Sequence, residues 1–172
     1  NYMAAIGAVE GIATDDAVRE VAKTFGGVEH RIELVRVKDG VRYYNDSIAS
    51  SPSRTVAGLR SFSEKVLLIA GGYDKHIPYD VLGPEACAHT KTVFVNGATA
   101  GQIREAIEKC PDYRPGHPEI VDCADFTQAV YAAVNVAQAG DVVLMSPASA
   151  AFDQFKNFME RGNYYKKLIM EL

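Results

Sequence analysis

No stretch of this 172-residue chain stays apolar long enough to cross a membrane, because polar residues interrupt every apolar run well before spanning length. The opening residues, NYMAAIGAVEGIA, lack the basic start of a signal peptide, so a cytoplasmic setting is expected. No Lys/Arg-rich run exists and the formal net charge is -4, which argues against a nucleic-acid partner. The cysteines Cys87, Cys110 and Cys123 are odd in number and widely separated. With no CxxC spacing and no His at a zinc-ligand interval from a Cys, free reduced thiols are expected. The phosphate-cradling pattern GxxxxGK[ST] is also missing, so nothing in this sequence predicts triphosphate binding by the chain alone.

What remains is ordinary globular composition, 48% hydrophobic and 23% charged, at a length that fits one domain or one domain with a piece of a neighbour. The chain opens on Asn1 rather than Met, and YMAAIGAVEGIA already reads as a helix in progress, so a piece of something longer is expected.

A helix is predicted over Tyr2 to Gly11, and Thr14 caps a second one, DDAVREVAKTF, with acidic residues in its first turn and Gly26–Gly27 after it. RIELVRV and VRYYN alternate imperfectly around Asp39–Gly40, a hairpin signal. From there apolar runs and helical patterns alternate. VRYYNDS leads into a helix from Pro52 to about Phe62, and KVLLIAGG into a short helical stretch around Tyr79 to Leu82. KTVFVNG leads into AGQIREAIEKC, EIVDCAD into DFTQAVYAAVNVAQAG, and DVVLMSP into a last helix from Phe152 to Glu171, with Phe152, Phe155 and Phe158 as its core stripe. Such alternation predicts an α/β class: a Rossmann-like, open, mostly parallel sheet covered on both faces, preceded by a short helical stub.

In an open α/β sheet, ligands bind beyond the carboxyl ends of the strands. Those ends read NDSIASS, GGYDKH, NGATAG, DCAD and SPASAAFD, and three are unusually rich in small and polar residues. In NDSIASSPSRT, Ser50 or Ser51 suits a helix cap with Pro52 at the first helical position, which leaves Asn45, Asp46 and Ser47 unexplained. Asp46 could serve a Mg-nucleotide. In GGYDKH the paired glycines suit a turn or a close approach by ligand, and Lys75 supplies a point charge for a carboxylate or phosphate. In SPASAAFDQF the serines suit capping, and free N–H groups at the helix start would favour a carboxylate.

NDSIAS (residues 45–50), GGYDK (71–75) and SPASAAFDQFKNFMERG (146–162) together resemble the C-terminal part of the Mur ligases, over essentially the whole chain. The resemblance implies residues 1–28 as the helical tail of a central ATPase domain and residues 29–172 as the family's C-terminal, Rossmann-like domain. It implies an ATP-dependent, amide-bond-forming ligase that works through an acyl phosphate in peptidoglycan biosynthesis. The partners implied are D-glutamate, UDP-N-acetylmuramoyl-L-alanine and two further domains of the same enzyme, with ATP and Mg2+ held mainly by the central one. No catalytic residue and no metal ligand is assigned within this chain, which alone is expected to be inactive.

Residue by residue, the resemblance implies that Asn1 contacts adenine, that His30 and Arg31 form a junction pair whose Arg meets the nucleotide, and that Asp46 belongs to the ATP side. Lys75 would meet one substrate carboxylate, helped by Ser50 where relatives carry Thr. The Phe158 backbone and the start of the last helix would hold the other carboxylate, with Phe152 beside the substrate. Two positions depart from the pattern. Ile48 stands where many relatives have Lys, and Ala151 where many have a carboxylate-holding Ser; backbone N–H groups or Ser149 would compensate. Two other readings stay open: a self-sufficient Rossmann-like module for a nucleotide or small acid, and a structural domain with NDS and SPASAAFDQF packed in its core.

Overall fold

A computed structural model of the chain describes residues 2–172. The adenine contact implied for Asn1 lies outside the described residues.

The first two helices, α1 (Tyr2–Ala8) and α2 (Asp15–Thr24), face each other across an apolar groove lined by Ala5, Ile6, Val9, Ala17 and Val21. Thr14 caps α2 by accepting from the Ala17 N–H, as its sequence position predicts. No residue of α2 is buried, and Met3, Ile12 and Val21 are exposed. The apolar side of this pair therefore has no cover among the described residues.

Six strands follow: β1 (Glu33–Lys38), β2 (Val41–Asn45), β3 (Val66–Gly71), β4 (Thr90–Asn96), β5 (Glu119–Asp122) and β6 (Val142–Met145). They form one sheet in the order β1-β2-β6-β3-β4-β5. The hairpin signal at Asp39–Gly40 closes β1 against β2 with positive φ at both residues (50° and 79°), the geometry of a tight two-residue turn. That pair is antiparallel, and every other pairing is parallel. The last strand in sequence thus inserts between β2 and β3. Ser146 and its neighbours come to lie between the NDS and GG ends, where the direction of winding reverses. In open α/β sheets such a reversal is the usual ligand crevice.

Alternation along the strands builds two cores. Leu67, Ile69, Phe94, Val143 and Met145 face α6 (Phe126–Val136) and α7 (Phe158–Met170). Leu68, Ala70, Val93, Val95 and Leu144 face α3 (Pro52–Leu59), α4 (Leu82–His89) and α5 (Ala100–Glu108). Both faces of β3, β4 and β6 are apolar, which is why these segments read as near-continuous hydrophobic runs.

Two predicted boundaries are corrected. The short helix expected over Tyr79 to Leu82 is α4, beginning at Leu82, with Pro84 in its first turn where a missing N–H is harmless. The last helix starts at Phe158 rather than Phe152, because the Asn157 side chain caps it by accepting from the Glu160 N–H. Residues 151–157 instead form turns in which the Ala151 carbonyl accepts from both Gln154 and Phe155 N–H groups. Of the predicted aromatic stripe, Phe155 packs on the core and Phe158 is half-buried, but Phe152 is 62% exposed. The three cysteines are free.

Candidate functional site

The parallel register sets Asn45 of β2 against Met145 of β6, and Ile69 of β3 against the same Met145. Chain leaving these strands therefore emerges side by side. Gly71 N–H donates to the Pro147 carbonyl (2.8 Å) and Tyr73 N–H to the Ala150 carbonyl (2.9 Å), joining the β3 and β6 ends. On the other side, Lys75 Nζ donates to the Ser50 carbonyl at 3.3 Å, joining the β3 and β2 ends. Lys75 is exposed and Ser50 half-buried, so both are open to a ligand. The exposed rings of Tyr73 and Phe152 stand edge to face, 5.9 Å apart, on the same rim. Tyr73 was not singled out from sequence, since an aromatic in a turn carries no signal of its own.

Ser149 is 1% exposed, and its hydroxyl sits between Tyr79 Oη (2.7 Å) and Thr99 Oγ1 (2.8 Å). It braces the loop from inside. Ala151 is buried, while its N–H and that of Phe152 find no acceptor among the described residues. Ser51 occupies the cap position of α3, but its hydroxyl meets Ser53 Oγ instead of a helix N–H.

Under this rim lies Arg161, a guanidinium 2% exposed. It donates from Nε to Ser47 Oγ (3.1 Å), from Nη2 to the carbonyls of Ser47 and Ser149 (3.0 Å each), and from Nη1 to the Ala150 carbonyl (3.1 Å). Burial pushes its pKa down to about 10, against a partial restoring pull from Asp153. Ser47 Oγ in turn donates to the Phe158 carbonyl at 2.7 Å. The Phe158 ring stands edge-on to His30, and no described contact joins Phe158 to Lys75 or Ser50.

A second cleft, of about 290 Å3, opens beside the NDS loop and is lined by Arg31, Asp46, Ile48, Ala49 and Arg54, among others. Asp46 is the buried carboxylate of that wall: Oδ1 accepts from Ile32 N–H and Oδ2 from the Ser146 hydroxyl. Burial lifts its pKa to about 6, although those hydrogen bonds and the charges of Arg31 and Arg54 pull the other way. Arg54 was missed from sequence. Its signal is a cation in the first turn of α3, where the helix dipole disfavours positive charge. The set of two guanidinium groups and one carboxylate suits an anionic, hydroxyl-bearing ligand.

His30 does not face this cleft. Its Nδ1 meets Asn45 Nδ2 at 2.9 Å, and a Cβ on Gly162 would overlap its ring, which explains the glycine after Arg161. Glu29, His30 and Glu33 lie close enough to suggest a metal cluster, but Lys166 already pairs with Glu29 (2.5 Å) and Glu33 (3.1 Å). The structure thus brings Ser50, Lys75, Ala151 and Phe152 to one rim, and Arg31 and Asp46 to the adjoining cleft. It sets Ser149, Phe158 and His30 behind them.

The profile of one protein family, described as Mur ligase, glutamate ligase domain, matches residues 30–149. Among curated relatives, the UDP-N-acetylmuramoylalanine–D-glutamate ligase of Acetivibrio thermocellus is 52% identical over 98% of this chain. The protein of the same name from Clostridium kluyveri is 47% identical over the whole chain. The chain spans 37% and 38% of the length of these two relatives. Among solved structures, the Yersinia pestis bifunctional folylpolyglutamate synthase/dihydrofolate synthase, complexed with AMPPNP and Mn ion, superposes with a TM-score of 0.62 at 16% identity. That alignment covers 91% of this chain and 35% of the other, a likeness of fold alone.

Proposed function

The chain belongs to the Mur ligase family, as its glutamate ligase domain, and we propose that it holds D-glutamate for the ligase that joins this amino acid to UDP-N-acetylmuramoyl-L-alanine. In that reaction the precursor's terminal carboxylate attacks the γ-phosphorus of ATP, forming an acyl phosphate and ADP. The D-glutamate amine then adds to the acyl carbon, the tetrahedral intermediate expels inorganic phosphate, and the amine's proton is lost as the amide forms. A nucleotide-linked precursor and ATP fit a cytoplasmic setting.

The observation that carries this reading is the convergence of Lys75, Ser50 and the Ala151–Phe152 amides on one rim. The Lys75 ammonium suits one carboxylate of a dicarboxylic amino acid, and unclaimed backbone N–H groups suit the other. They take over at Ala151, where the resemblance implies a carboxylate-holding serine. Held at both ends, the guest keeps its amine free for attack. Such orientation supplies on the order of 7 kcal/mol or more of the barrier reduction in well-aligned reactions. Arg31, Arg54 and Asp46 in the adjoining cleft suit the phosphate or ribose side of a nucleotide. Mg2+ would arrive with that nucleotide, and no step here depends on it. Residues 1–28 are assigned to the tail of a preceding ATPase domain, a reading supported by the uncovered apolar groove between α1 and α2.

Steady-state kinetics of the complete protein tests the proposal. Removing the ammonium with Lys75→Ala should raise KM for D-glutamate about 10- to 100-fold, as expected for a lost charged hydrogen bond. KM for ATP should be little changed. An unaltered KM for D-glutamate removes the site from Lys75.

A further inference from the structure

Arg161 has no carboxylate in ion-pair contact among the described residues, although its guanidinium is 2% exposed. A buried cation without an ion-pair partner is costly, and Asp153 offsets that cost only in part. The donors of Arg161 are instead spread over two of the strand-end loops. Ser47, three residues before Ser50, offers both its hydroxyl and its carbonyl; Ser149 and Ala150, just before the free amides, offer carbonyls. Gly72 completes the enclosure, since a Cβ there would lie 3.2 Å from Nη1.

We propose that Arg161 is a positioning residue of the amino-acid site, one that fixes the loop after β2 and the loop after β6 relative to each other and turns the Ala151 N–H outward. The inference rests on the reading of the rim as the D-glutamate site. Its geometry follows from peptide planarity, which sets the C=O of one residue and the N–H of the next in opposite directions. The Ala150 carbonyl is held inward by Arg161 Nη1 and by Tyr73 N–H. The Ala151 N–H must therefore point the other way, with no acceptor among the described residues. The rim thus presents an amide whose direction the buried guanidinium sets. The same cation lies beneath the turn over which the dicarboxylate would sit, so the guest also adds negative charge to the partial pull of Asp153.

Lysine preserves the charge but cannot span the fork of Nε, Nη1 and Nη2, because its three donors radiate from one atom. In the complete protein, Arg161→Lys should raise KM for D-glutamate about 10- to 100-fold, the scale expected when a binding group moves by about 1 Å, and leave KM for ATP near wild type. In ligand-free protein, the amide resonances of Ala151 and Phe152 should shift. A folded variant with wild-type KM for D-glutamate overturns the proposal. If the variant does not fold, Ser47→Ala decides instead: removing one anchor should raise the same KM severalfold, and no change overturns the claim. Lys75→Ala separates the two levels. If it raises KM while Arg161→Lys does not, only the role of Arg161 fails. If Lys75→Ala leaves KM unchanged, the D-glutamate reading itself fails.

Discussion

Ser146, the first residue beyond β6, donates its hydroxyl to Asp46 Oδ2, the first residue beyond β2, at 2.7 Å. A hundred residues of sequence separate them, yet the parallel pairing of β2 with β6 makes them neighbours. The same hydroxyl lies 3.0 Å from Thr55 Oγ1 on α3, so Asp46 is held by a polar chain that reaches the helix after it. This contact joins two of the sequence motifs. Burial outweighs the opposing pull of this hydrogen bond and keeps Asp46 partly protonated near pH 6.

That protonation has a measurable consequence. The folded pKa of about 6 lies above the ordinary aspartate value of 3.8, so between those values the native state binds more protons than the unfolded chain. The contribution of Asp46 is full below about pH 4 and is lost as pH rises through about 6. That displacement corresponds to about 3 kcal/mol. Urea denaturation of wild type and D46N across pH 4–7 should show the wild type losing stability relative to the variant over that range. A difference that does not change with pH would mean that Asp46 titrates normally.

Gly72 sits at φ 145° against the Ala150 carbonyl oxygen, at the join between the β3 and β6 ends. A side chain there must displace that carbonyl, which Tyr73 N–H and Arg161 also claim. Gly72→Ala should destabilise the chain by about 2 kcal/mol or more, combining backbone strain with a lost hydrogen bond. Denaturation midpoints equal to wild type would show that the loops can separate without cost.

Much of the scaffold was legible in sequence, for local reasons. The hairpin at Asp39–Gly40 and the cap at Thr14 are decided by a few adjacent residues, and the strands announce themselves as apolar runs because both faces are covered. The insertion of β6 between β2 and β3 was not legible, since it is fixed by packing between segments a hundred residues apart. The start of α7 could have been found, because Asn157 and Glu160 carry the spacing of a capping pair. At the site, Lys75 and Ser50 stood out by residue type at strand ends. Arg161 did not: a charge on an amphipathic helix reads as solvated until its neighbours are known. Ser149 looked like a candidate ligand, and only the hydroxyls of Tyr79 and Thr99 reveal that it faces inward.

The most direct test of the central claim is a titration of the isotopically labelled 172-residue chain with D-glutamate, followed by amide chemical shifts. Saturable changes are expected at Ser50, Lys75 and the Ser149–Phe158 segment, larger than those L-glutamate produces, with Arg31 and Arg54 undisturbed. Absence of saturable change at that rim, or changes confined to the Arg31–Arg54 cleft, would contradict it.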